Sequence, residues 1–281
     1  MREFLELRVE EEFAPLVFTD SEGERLGDSI RKIVLDSSDP RCRVIEATQA
    51  RLKSEGSGPL FLGYIFHRKY RPAELQAAAL FQLSNKIFEP CGEEHGTIYD
   101  ETVACPCCGA GSVQVGPLRL PPSRVPKGCD FATTIAGEHV ISKRMAEILS
   151  RAGVTGAHFT PIRHGRPPGI DAKDWFQLRI SGPRAKIVPP TQLGAGPFDR
   201  NQIGKCQLQG DTAGLNVLSE VSIQATTRGE ADFLETDQYV GVRRGALRPE
   251  RQILISPKVQ RIIMSEGKKG CKIEIAHLTT V

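Results

Sequence analysis

"VISKRMAEILSRAGVTGAHFTPI", residues 140–162, lines up without gaps on "LISPKVQRIIMSEGKKGCKIEIA", residues 254–276. Ile141, Ser142, Ile148, Gly153 and Gly156 of the first segment match Ile255, Ser256, Ile262, Gly267 and Gly270 of the second. Met145, Ile148 and Leu149 sit at the same offsets as Val259, Ile262 and Ile263. Both segments therefore carry one apolar stripe at helical spacing. Ser142 and Ser256 stand where a side-chain oxygen accepts from the free amides of a helix start. Pro257 suits a first helical position, and Gly153 and Gly267 suit a left-handed helix end. Each segment predicts strand, helix, turn, strand, and the match between them predicts a duplication. Helices this short are not stable alone, so each must pack on a sheet. The expected fold class is α+β, with mixed sheets and two related strand–helix–strand units.

Upstream, "GTIYDETVACPCCGAGSVQVGPLRL", residues 96–120, alternates apolar and polar residues on both sides of a cysteine cluster. That pattern predicts two short strands joined by a tight turn. Cys105, Cys108 and Gly109 form C-P-x-C-G, whose spacing lets two thiolates reach one metal ion from a single turn. The following glycine permits a positive φ that aims amides at the sulfurs. Zinc needs four ligands. The nearest further donors in the chain are Cys91 and His95, in "CGEEH". The expected structural zinc set is Cys105, Cys108, Cys91 and His95, with Cys129 able to replace either of the last two and Cys107 less favoured. Two other readings stay open at this stage: unligated thiols, and a redox pair at Cys105 and Cys108. Cys42, Cys206 and Cys271 stand alone in sequence and read as buried thiols.

The rest of the chain frames these signals. Residues 2–9 and "GPLFLGYIFHRKY" (58–70) predict strands. Pro72 opens "PAELQAAALFQLSNKIF", whose alanines and leucines predict a helix. Residues 1–90 are expected to form an N-terminal α/β module, and residues 91–281 the knuckle hairpin plus the duplicated units. Pro/Gly-rich loops surround a strand at "WFQLRIS" (175–181), followed by the strand-like "KCQLQ", "NVLSEVSIQA" and "QYVGVRR".

Composition bounds the function. The 281 residues are 40% hydrophobic and 25% charged, ordinary for a globular chain. The formal charge is +3, from 37 basic and 34 acidic side chains. That is too even to predict binding to nucleic acid or to a membrane by itself. No apolar run reaches the ~18 residues of a spanning helix, and the start lacks the apolar centre of an export signal. The expected compartment is the cytoplasm, where clustered cysteines serve as metal ligands or catalytic groups rather than disulfides. No G-x-S-x-G elbow, phosphate-cradling G-x-x-x-x-G-K-[ST] or H-E-x-x-H motif is present. His139 and His158 read as strand residues. His164, with Arg163 and Arg166, is a possible anion contact in a loop. Trp175 and Phe176 read as core or, if exposed, as a partner anchor.

"CPCCGAG" followed by "HVISKRMAEILSRAGVTGAHFTPI" resembles the bacterial immunity proteins with double CxxCG motifs, and related families that protect against polymorphic toxins. The resemblance spans roughly residues 96–165, and residues 254–276 share its style. The family carries two CxxCG motifs where this chain carries one. The resemblance implies a cytoplasmic, non-enzymatic protein that binds a cognate toxin and blocks it by occlusion. Two alternatives stand beside it. One is a zinc-ribbon nucleic-acid-binding protein using "HRKYR" (67–71), "RHGR" (163–166) and "VRRGALRPER" (242–251). The other is an enzyme built on Cys/His or zinc chemistry.

Overall fold

The computed structural model describes residues 1–165, 168–199, 202, 204–210, 212–267 and 269–280. They form an α+β fold in two compact units, residues 1–77 with 196–198, and residues 78–195 with 199–281.

The first unit holds β1 (Arg2–Glu10), β2 (Glu24–Arg25), β3 (Ile30–Asp36), α1 (Arg41–Glu55), β4 (Phe61–Lys69) and α2 (Pro72–Ala77). Its antiparallel sheet runs β2-β3-β1-β4. The inward residues of β1, Leu5, Leu7 and Val9, join Ile33 and Leu35 of β3 and Ile45 and Leu52 of α1 in one core. Strands β1 and β4 fall where alternation predicts them. The helix expected from Pro72 ends at Ala77. The apolar run after it, Leu80–Phe88, is a strand of the second unit, so the units divide at residue 77 and not at 90. A strand buried on both faces reads as a continuous apolar run, and an alanine-rich neighbour makes it resemble helix.

The second unit contains β5 (Leu80–Phe88), β6 (Ile98–Asp100), β7 (Val113–Val115), β8 (Phe131–Thr134), β9 (His139–Ser142), α3 (Lys143–Arg151), β10 (Ala157–His164), β11 (Ile170–Ile180) and β12 (Arg184–Ala185). It continues with β13 (Leu193–Gly194), β14 (Asn216–Val217), β15 (Ser222–Gln224), β16 (Phe233–Thr236), β17 (Ile253–Ile255), α4 (Pro257–Ser265) and β18 (Cys271–Thr279). A curled, mixed sheet runs β10-β11-β9-β8-β5-β17-β16-β12, with β18 also paired to β5 and to β15.

The two matching segments form the expected strand–helix–strand units. Ser142 accepts from the Met145 amide and Ser256 from the Val259 amide, each a cap that contributes about 1 kcal/mol. Each serine in turn donates its hydroxyl to an aspartate, Ser142 to Asp130 and Ser256 to Asp232, both at 2.6 Å. These aspartates begin "DFATT" and "DFLET", so the repeat extends to β8 and β16. Phe131 pairs with Ile141 and Phe233 with Ile255, an identical register.

The duplication reaches further still. β5 carries Phe81-Gln82-Leu83 and β11 carries Phe176-Gln177-Leu178. Phe176 lies between Ile141 of β9 and Pro161 of β10. Phe81 lies between Ile255 of β17 and Ile275 of β18, the equivalent positions. Each repeat thus begins with a strand that inserts into the other repeat. Two small cores are equivalent in the same way. Leu118, Leu120, Ala132, Val140 and Ile162 fill one. Val221, Ile223, Leu234, Leu254 and Ala276 fill the other.

Candidate metal centre

Each repeat opens out a two-stranded hairpin. β6 pairs with β7, Ile98 opposite Val115. β13 pairs with β14, Leu193 opposite Val217. The C-P-x-C-G turn lies between β6 and β7, as the flanking alternation predicts. The Gly109 amide donates to the Cys105 carbonyl at 2.8 Å, and the Cys105 amide donates to the Ala110 carbonyl at 2.8 Å. Gly109 adopts φ 74°, the left-handed turn a side chain would strain.

The Cys206 amide likewise donates to the Ala213 carbonyl, at 2.7 Å, in the connection between β13 and β14. Gly210 adopts φ 67°. "CQLQG" at 206–210 is therefore the second repeat's version of "CPCCG" at 105–109, and Ala213-Gly214 repeats Ala110-Gly111.

The two turns meet. Cys105, Cys108 and Cys206 are 4%, 5% and 3% exposed, and their sulfurs all lie within 4.8 Å of one another. The Cys105 and Cys206 sulfurs are 3.7 Å apart. Four thiolates around a tetrahedral ion at a bond length of about 2.3 Å stand about 3.8 Å from one another, so this spacing fits a shared ion. Ala110, Ala213 and Tyr239 pack around the thiols. Burial works against ionisation at Cys206. Hydrogen bonds from the Leu208 and Gln209 amides and from the neighbouring thiols outweigh it and lower the group to about 7. Cys108 is pushed up to about 12, by burial first and by its sulfur neighbours. Each thiolate in this group resists the formation of the next, a conflict that a divalent cation resolves.

The other expected ligands lie elsewhere. Cys91 is buried, and its thiol donates to the Glu94 carboxylate at 3.4 Å. His95 is exposed at the end of a single 3-10 turn, Glu93–His95. Cys129 sits beside Gly270 of the second repeat. The structure brings none of these three into the 105–108–206 group and recruits Cys206, which reads in sequence as a lone buried thiol. Proximity to Cys105 along the chain suggests Cys91 and His95, whereas pairing of equivalent turns brings in Cys206. The faint signal available was the glycine four residues after each cysteine. Arg163 is paired with Asp171 at 3.0 Å, and Arg166 lies outside the described residues. Among the described residues no helix is long and apolar enough to cross a membrane.

A cavity of about 420 Å3 adjoins the first knuckle, lined by Tyr99, Glu138, His139, Glu235, Glu250 and Arg251 among others. Glu138 accepts from the Tyr99 hydroxyl at 2.5 Å and from the Gly92 amide at 2.9 Å. Burial, then the charge of Glu235, raises Glu250 to about 7 from its ordinary 4.5. Burial also raises Glu235, against the opposing pull of Arg251 and Arg184. A carboxyl raised by folding is held more tightly in its protonated form by the native state, so its ionisation costs stability as pH climbs from 4.5 through 7. His139, lowered to about 4 by burial, acts oppositely: its charging costs stability as pH falls from 6.5 toward 4. Glu250→Gln should therefore be more stable than the parent at pH 8, with the two converging as the pH falls below 4.5, by urea unfolding at a series of pH values. Parallel curves for the two proteins would show that Glu250 does not titrate in this window.

Comparison of the chain with protein-family models and with curated proteins finds no match.

Proposed function

We propose that this chain is a binding protein, an immunity-type neutraliser of a toxin, whose binding surface is held rigid by structural zinc in the shared cysteine centre. The observation that carries the binding reading is the outer face of the β6–β7 hairpin. Ile98, Val113 and Val115 are 65%, 53% and 52% exposed, and Val103 of the knuckle is 57% exposed. Ile98 and Val115 are a cross-strand pair, and Val113 lies two residues from Val115 on the same face. Clustered apolar side chains at a surface favour contact with another protein. A short hairpin has little core of its own, so an ion at its tip would fix the shape it presents. Occlusion of that kind needs a rigid complementary surface. The CPxCG turn and the repeat unit that resemble the double-CxxCG immunity proteins support a toxin as the partner. Zinc is favoured by buried thiolate donors at tetrahedral spacing.

The basic stretches give the nucleic-acid reading less support. In "HRKYR", His67 lies 2.9 Å from Glu6, Arg68 2.7 Å from Glu3, and Arg71 2.7 Å from Glu74. Arg248 pairs with Glu101, and Arg251 donates to the Asp237 carbonyl. Guanidiniums engaged in this way are less free for phosphates. The test is co-expression with the products of adjacent genes, followed by gel filtration. A toxin-sized neighbour should co-elute with the parent protein. Val113→Asp with Val115→Asp should abolish co-elution and leave the metal content unchanged. Absence of co-elution with every neighbour, or persistence of the complex in the double variant, would sink the reading.

A further inference from the structure

The cysteine centre is a symmetric pair of knuckles that brings together three sulfurs among the described residues. Cys105 and Cys206 are equivalents, as are Gly109 and Gly210. The equivalent of Cys108 is then Gln209. A neutral amide oxygen is a poor partner for an ion already held by three thiolates, which select soft or borderline metals. A closed structural site nevertheless takes a fourth protein donor. The first knuckle carries a thiol that its counterpart lacks, since Cys107 stands where the second has Leu208. Cys107 is exposed, follows Cys105 by two residues and precedes Cys108. Its thiol lies outside the three-sulfur group, in the same turn as two of its members. An exposed side chain can turn about χ1 at little cost. The Arg243 guanidinium lies beside Gly109 and favours thiolates at this turn.

We propose that Cys107 supplies the fourth thiolate. The first knuckle then contributes three donors and the second contributes one, and Cys107 takes the place that Gln209 does not fill. The proposal rests on the metal reading of the cysteine group, and the experiment separates the two. The purified full-length chain is stripped and titrated with cobalt(II), whose thiolate charge-transfer absorbance counts sulfur ligands. The parent should bind one equivalent with a four-sulfur spectrum. Cys107→Ser should still bind, with about three-quarters of that absorbance and affinity weaker by on the order of 100-fold, as loss of one of four donors implies. Cys107→Ser combined with Gln209→Cys should regain the four-sulfur spectrum through the position that symmetry assigns. A Cys107→Ser spectrum identical to that of the parent overturns the role of Cys107 and leaves the metal centre standing. Failure of the parent to bind cobalt overturns both.

Discussion

On the proposed metal reading, treatment with a strong chelator, or Cys206→Ser, is expected to lower the melting temperature of the second unit by roughly 8–16 °C. An ion present at ~1,000 times its dissociation constant stabilises the native state by about 4 kcal/mol. For a unit of this size each kcal/mol corresponds to ~2–4 °C. The effect should be large because Cys206 meets the turn of the first hairpin from the second repeat, and among the described residues the hydrophobic packing around the cysteines is small, Ala110, Ala213 and Tyr239. Cys105→Ser should act alike. Cys91→Ser and Cys129→Ser should keep one metal per chain, since their sulfurs are outside the group. Differential scanning calorimetry with parallel metal analysis reads both outcomes. Melting that ignores the chelator, in protein shown to carry an ion beforehand, would remove the metal from any structural role.

Gly156→Ala and Gly270→Ala should each cost about 3 kcal/mol or more, enough to threaten folding of a marginally stable domain. Gly156 adopts φ 81°, and a Cβ there would lie under 3.0 Å from the Phe233 carbonyl oxygen of the other repeat. Gly270 adopts φ 80° and meets the Phe131 carbonyl oxygen in the same way. Backbone in the left-handed region and a backbone clash then act together. Gly153, at φ 61° with open space around it, is the internal control. Gly153→Ala carries the conformational cost alone, about 1 kcal/mol. Urea denaturation of the three variants should rank them in that order. Equal costs at Gly153 and Gly156 would show that the repeats do not approach so closely.

Much of this architecture is written in short-range signals. Capping serines, terminal glycines and the apolar stripe are local, so both strand–helix–strand units are legible in the chain. The knuckle hairpin is legible because β6 and β7 alternate on either side of C-P-x-C-G. What eluded the sequence depends on distance or on dilution. α1 has few apolar residues, and only Ile45 and Leu52 among them are buried. "LFQLS" in β5 and "WFQLR" in β11 match as written, but β5 lies far ahead in sequence of β17 and β18, the strands between which it inserts. Cys206 is followed by Gln209 where the first knuckle has Cys108, so it lacks the spacing that marks a knuckle. Nearness along the chain points to Cys91 and His95, while the fold gathers Cys105, Cys108 and Cys206 by equivalence of the two turns.

Strand exchange also sets a timetable for biosynthesis. Leu83 must pair with Ile273, some 190 positions later. At an elongation rate of ~5–20 residues per second, β5 leaves the ribosome ~10–40 s before β18 exists to accept it. Over that interval Leu80, Phe81 and Leu83 have no native neighbours on either edge, and the first hairpin waits with two thiols for a third. The first unit has every strand of its own sheet by residue 69 and needs no such delay. The nascent chain is therefore expected to mature in two stages, an early N-terminal fold followed by a late closure of β5 between the strands of the second repeat.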